Sequence, residues 1–429
     1  LITDTRMQVF LDEPLKAGGK DVKISMNFTY KIPVEGMDRM GRLDVNDGTI
    51  YAMAQWYPRV AVFDDVTGWN VEPYLGAGEF YLEYGNFEYA ITVPYDHTVV
   101  GSGLLQNPKD VLTKTQQERW KKAEESDQTV YIIKPEEVGT AASHPEKSGK
   151  VTWEFEMENT HDVAFASSKA FIWDAARINL ANGKKAMAQS AYPKESDGQK
   201  AWSRSTEYTK ASIEFYSKTY FNYPWKSAVN VAAEIGGMEY PGLSFCSWRS
   251  KEASLWGVTD HEFGHNWFPM IINSDERQWT WMDEGLNTFV QFIAEQLWEE
   301  QYPSRRGEAR NIVGFTTSTH QVPIMTNSEQ LLQFGSNAYA KPATALNILR
   351  ESILGRELFD FAFREYSQRW AFKRPEPADL FRTLEDASGI DLDWFWRGWF
   401  YSTDHCDLAV DRVVRFHLDT GNPDVEKPL

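Results

Sequence analysis

Two histidines and a glutamate, His261, Glu262 and His265, stand in the spacing His-Glu-x-x-His. If the stretch 258–270 is helical, both histidines lie one turn apart on the same face, close enough to share a metal ion, with Glu262 beside them. A catalytic zinc takes three protein groups and keeps its fourth position for water or substrate, so a third ligand is required. Glu284, in Trp281-Met282-Asp283-Glu284-Gly285, is the candidate. A chain with eight histidines and abundant glutamate produces such a motif by accident now and then. Phe263, Trp267, Phe268 and Met270 argue against accident, because an apolar flank implies a buried helix, where unpaired histidine and glutamate are costly.

Further residues bear on this stretch. In Gly236-Gly237-Met238-Glu239-Tyr240-Pro241 the paired glycines let another backbone come close, as when a peptide lies along a strand edge. Glu239 then projects where that peptide ends, although a tight turn with an exposed acid has the same pattern. Tyr339, in Tyr339-Ala340-Lys341, is a phenol at a helix start, able either to donate to a developing oxyanion or simply to pack. Gln291 lies two turns beyond Glu284 on one helical face, so it either holds a metal ligand from behind or faces solvent. Gln55 precedes the aromatic pair Trp56-Tyr57 and either lines a cleft or ends a packed strand. His97, His144, His161, His320, His405 and His417 have no ligand spacing.

The elements that must position these residues follow from periodicity. Val22, Ile24, Met26, Phe28 and Tyr30 alternate as in a strand with one buried face. So do Phe87, Tyr89, Ile91 and Val93, and again Val151, Trp153, Phe155 and Met157. Turn-rich segments separate them, so residues 1–178 are expected to form an antiparallel β domain, interrupted by an exposed charged helix near 108–126. Beyond this the texture becomes helical, with one strand at 228–234 and helices at 206–221, 284–299, 338–354, 356–370, 377–387 and 392–401. A β half followed by a mainly helical half is an α+β pattern, with residues 179–403 as the second domain and 404–429 as an extended tail or the start of a further domain.

The 429 residues suggest two or three domains, and 42% hydrophobic with 14% aromatic residues suggests large cores. A net charge of −18 and a pI near 5.0 disfavour nucleic acid as a partner. No apolar run reaches the length of a spanning helix. The chain opens on Leu1 without a charged-then-apolar start, so no signal peptide is expected there, although a processed product has the same look. Cys246 and Cys406 are too few for a disulfide framework.

Three of these motifs, in this order, resemble the gluzincin aminopeptidases, the aminopeptidase N and leukotriene hydrolase-like metallopeptidases. His261-Glu262-x-x-His265, eighteen intervening residues and Glu284 resemble their zinc signature; Gly236 to Tyr240 resemble their exopeptidase motif; Tyr339-x-Lys341 resembles their catalytic tyrosine segment. The resemblance implies a shortened saddle-like β domain before a thermolysin-like catalytic domain, and one zinc ion per chain held by His261, His265 and Glu284. It implies Glu262 as general base, Tyr339 as oxyanion donor, and Glu239, Gly236, Gly237, Met238 and Gln55 around a peptide with a free N-terminus. A thermolysin-type endopeptidase and a non-catalytic scaffold relative are the alternatives. Departures stand at Gly237, Tyr240, Pro342 and Gln291, the last where an acid supporting a zinc histidine is expected, which bears on zinc affinity. Relatives with so short a β domain point to an exported bacterial protein, periplasmic or extracellular, with the cytoplasm as the alternative; oligomeric state is open.

Overall fold

The computed structural model describes residues 1–34, 39–406, 408–418 and 426–428. The expected alternations at 87–93 and 151–157 prove to be partners. Gly85–Pro94 and Lys150–Thr160 pair antiparallel with Trp153 opposite Ile91 and Phe155 opposite Tyr89, so their alternating apolar residues share one buried face. A second antiparallel sheet joins Met40–Val45, Gly48–Met53, Phe165–Ser168 and Thr98–Gly101. The charged helix falls at Lys114–Glu125, opened by a capping box in which the Thr113 hydroxyl accepts from Gln116 N and the Gln116 side chain accepts from Thr113 N.

The strand expected from Val22 to Tyr30 does not form. That segment belongs to no sheet and leaves its apolar side chains exposed, Phe28 by 50%. Alternation selects a face, but a strand also needs a neighbour to complete its hydrogen-bond ladder, and none is recorded beside it among the described residues.

The functional region is built on a six-stranded sheet of β1 (Val130–Ile133), β2 (Ile172–Asn179), β3 (Lys185–Tyr192), β4 (Ser227–Ala233), β5 (Gly237–Tyr240) and β6 (Leu243–Ser247). Its order is β1-β2-β3-β4-β6-β5. The strands β3, β4 and β6 run parallel, and the others pair antiparallel. Every residue of β4 is buried, as a central parallel strand covered on both faces requires. The expected division at 178/179 falls at the last residue of β2, which is hydrogen-bonded to β3 in the same sheet.

Helices α1 (Ser205–Thr219) and α2 (Glu252–Gly264) pack on this sheet and on each other. Helix α3 (Leu286–Trp298) packs against α2, and α4 (Lys341–Ile348) against α3. The expected helix at 258–270 stops at Gly264, because Pro269 disfavours helical backbone at Phe268, which takes φ −133° and ψ 103°. Helices at Arg356–Trp370, Pro377–Ser388 and Asp393–Phe400 match expectation closely. Cys246 is buried, Cys406 is exposed and both are free thiols. No helix among the described residues is long and apolar enough to cross a membrane.

Candidate metal centre

Helix α2 presents His261 and, at its C-terminal cap, His265, while a π-helical turn at Trp281–Gly285 presents Glu284. The three donor atoms form a small triangle: the two Nε2 atoms are 3.1 Å apart, and Glu284 Oε2 is 3.4 Å from each. Donors held about 2.0–2.1 Å from a tetrahedral zinc are about 3.3 Å apart, so the triangle has the size of one face of such a site. Glu284 Oε2 is buried and accepts no hydrogen bond among the described residues, which leaves it a lone pair for a cation.

The other ring nitrogens are committed. His261 Nδ1 lies 2.9 Å from Gln291 Oε1, which can only accept, and 3.2 Å from Asn287 Nδ2; Gln291 is itself oriented by donating to Gly257 O at 3.0 Å and Glu295 Oε1 at 2.9 Å. His265 Nδ1 has the Phe268 carbonyl oxygen at 2.8 Å and Asp283 Oδ1 at 2.7 Å. Protons on both Nδ1 atoms turn both Nε2 lone pairs toward Glu284.

The strand β5 is paired on one side only, to β6, and stands at the edge of the sheet. Side chains alternate along it, so Gly237 and Glu239 share the face toward α2. A Cβ on Gly237 would meet Glu262 Oε1 at 2.4 Å and Val258 Cγ2 at 3.2 Å, which is why the strand passes so close to the acid. Carboxylate oxygens of Glu239 and Glu262 and a nitrogen of His265 lie within 4.8 Å of one another. Gly236 has open space around it. Met238, expected among the substrate-binding residues, turns to the opposite face, where its side chain is buried in the core.

Tyr339 ends a π-helical turn before α4, and its hydroxyl donates to Glu284 Oε1 at 2.5 Å. This approach depends on Gly285, where a Cβ would lie 2.5 Å from Pro342 Cγ and 2.9 Å from Ala338 O. Gln55 sits at a left-handed φ of 50°, and its Nε2 donates to Glu79 Oε2 at 2.7 Å. Arg39 grips the same carboxylate, with Nε 2.9 Å from Oε2. Gln55 is thus tied to Glu79 and keeps its own carbonyl oxygen as an acceptor.

Burial raises the carboxyl of Glu239 well above the usual carboxylate range, against the pull of His265. Burial also raises Glu262, opposed by His261 and His265. Asp283 is pushed up to about 7 by burial. Burial acts on Glu284 too, but the two histidines outweigh it and hold that carboxyl well below its ordinary value. Ionising four buried carboxyl groups beside two imidazoles is costly, and a divalent cation would offset that cost.

A match to the peptidase family M1 domain covers residues 204–399, the segment that contains both histidines, Glu239, Glu284 and Tyr339. Over that segment the chain is similar to family M1. Among curated relatives, aminopeptidase 2 of Saccharomyces cerevisiae is 26% identical over 207 residues, 43% of this chain and 22% of that protein. Endoplasmic reticulum aminopeptidase 1 of Mus musculus is 26% identical over 195 residues, 40% of this chain and 21% of that protein. The chain therefore spans about a fifth of the length of these relatives. The M1 zinc metallopeptidase of Deinococcus radiodurans has a similar fold, with a TM-score of 0.57 at 16% identity over 76% of this chain and 65% of that one. Aminopeptidase A of Legionella pneumophila, solved with aspartic acid, gives a TM-score of 0.57 at 14% identity over 85% of this chain and 39% of that one.

Around this centre, sequence reasoning missed Asp283, Glu79 and Arg39. Asp283 carried a signal, an acid directly beside a proposed ligand and thus able to reach a histidine from behind. Glu79 and Arg39 carried none, since they meet Gln55 only after two distant segments have folded together.

Proposed function

We propose that this chain is a zinc-dependent aminopeptidase that removes the first residue from peptides with a free α-amine, using one zinc ion per chain. The observation that carries the reading is the donor triangle of His261, His265 and Glu284 with two further buried acids, Glu239 and Glu262, beside it. Those three ligands would hold the zinc, which when bound supplies Lewis acidity toward the scissile carbonyl and toward water.

The remaining work belongs to the chain. Glu262, buried and held above its usual pKa, takes a proton from the attacking water and returns it to the leaving amine. Glu239, with the free oxygen of Gln55, receives the α-ammonium group and so fixes which bond is presented. Tyr339 breaks its hydrogen bond to Glu284 to donate to the carbonyl oxygen as charge develops there. Gly236 and Gly237 let the peptide backbone lie along the open edge of β5.

Glu262→Gln is the direct test. The variant is expected to bind zinc like the parent while kcat on aminoacyl-anilides falls by roughly 10²- to 10⁴-fold. A variant that keeps substantial turnover would remove Glu262 as the base, and a parent enzyme indifferent to zinc chelation would remove the metal.

A further inference from the structure

Beside the triad, between α2, α3 and the segment at 302–306, lies a cavity of about 580 Å³ whose lining includes Val258, His261, Gln291, Glu295, Arg305 and Arg306. Arg306 is half-buried, and its guanidinium sits 4.3 Å from the centre of the Tyr339 ring. Neither arginine has an ion-pair partner among the described residues. The single acid in the lining, Glu295, is already engaged by Gln291 and Ser304. Two arginines without a salt bridge, Arg305 and Arg306, the latter stacked on Tyr339 and near Glu295, are conspicuous in a chain of net charge −18, beside a centre crowded with carboxylates.

The edge strand sets the direction in which a substrate meets this cavity. Glu239 lies near His265, whereas Gly237 lies over Glu262 and Val258, and Val258 lines the cavity. A peptide paired antiparallel to β5 with its amine at Glu239 therefore runs past Gly237 toward Val258. At about 3.3 Å per residue it brings the first or second residue after the scissile bond to the cavity mouth.

We infer that this cavity receives the leaving side of the substrate and that Arg305 and Arg306 select a carboxylate there. The carboxylate is either the C-terminus of a di- or tripeptide or the side chain of an Asp or Glu that follows the scissile bond. Guanidinium groups suit this ligand because their paired N–H donors match its two oxygens; Arg306 is half-withdrawn from solvent, and the exposed Arg305 stands at the mouth. The inference rests on the aminopeptidase reading, since the amine fixes the direction of the chain.

The test uses three peptides that share one N-terminal residue and end in Ala with a free carboxylate, Ala amide or Asp amide. The parent enzyme is expected to show kcat/KM about tenfold or more higher for at least one carboxylate-bearing peptide than for Ala amide. Preference for the first assigns the C-terminus and preference for the Asp amide assigns the side chain. In Arg305→Gln/Arg306→Gln the ratios fall to near one; comparing substrates on the same enzyme cancels any general effect through Tyr339. Binding of the same peptides to zinc-loaded Glu262→Gln, with and without the arginine changes, separates the two readings. Selective binding without turnover in the parent would sink the aminopeptidase reading and leave the pocket standing. Turnover with no carboxylate preference, or a preference that survives loss of both arginines, would overturn the pocket.

Discussion

At the scale of single residues, the metal centre depends on which proton each imidazole carries. Gln291 accepts from His261 Nδ1, where a carboxylate would bind the same proton more tightly and make the ring a more basic ligand. Asp283 reaches His265 in the complementary position, so one histidine is supported by a neutral amide and the other by an acid. Gln291→Ala removes the only side chain recorded as accepting from His261 Nδ1 and frees the ring to turn. Zinc affinity, measured by competition with a chromogenic chelator, is expected to fall about 10- to 100-fold with the fold intact. An unchanged dissociation constant would mean that Gln291 does not orient His261. The meeting of the two histidines beside Glu262 was legible in the sequence because residues one turn apart on a helix share a face, whereas Glu284, on a separate turn, was only the candidate third donor until the fold brought it to them. The glutamine contact was legible only as one of two alternatives, since a residue two turns along the next helix faces inward or outward according to packing.

At the scale of elements, two short segments decide whether the site is assembled. The edge strand β5 approaches α2 closely enough that Gly237 has no room for a side chain. In Gly237→Ala the added carbon displaces the flexible end of Glu262 rather than the backbone, so the expected loss is in kcat, roughly 10- to 100-fold, with zinc content and thermal stability preserved. Parent-like kcat would show that the position of Glu262 is not set by this contact. The second segment is the turn carrying Tyr339, brought to Glu284 by the contact of Gly285 with Pro342. Most helices were readable from their period, and the misread boundary after Gly264 came from underweighting Pro269 in a run otherwise apolar and helical in spacing. The Val22 to Tyr30 stretch failed for a different reason: alternation there is strong, but pairing is a property of the neighbour and not of the strand.

At the scale of the whole molecule, a mixed sheet with helices packed against it holds the donor triangle, and its open edge strand β5 passes beside Glu262. Its crossing of the 178/179 division was illegible, because β1 and β2 have the same local pattern as the antiparallel sheets before them and only their long-range pairing assigns them elsewhere. The contacts of Glu79 with Arg39 and Gln55 were hidden in the same way. What unites these features is a claim about direction, that Glu239 makes this centre read peptides from the amino end. The most direct measurement is the ratio of kcat/KM for an aminoacyl substrate with a free amine to that for its N-acetylated counterpart, in the parent and in Glu239→Ala. The account predicts a ratio well above one in the parent that collapses in the variant through loss of activity on the free amine. Equal losses on both substrates, or a parent that cleaves the blocked substrate as readily, would contradict it.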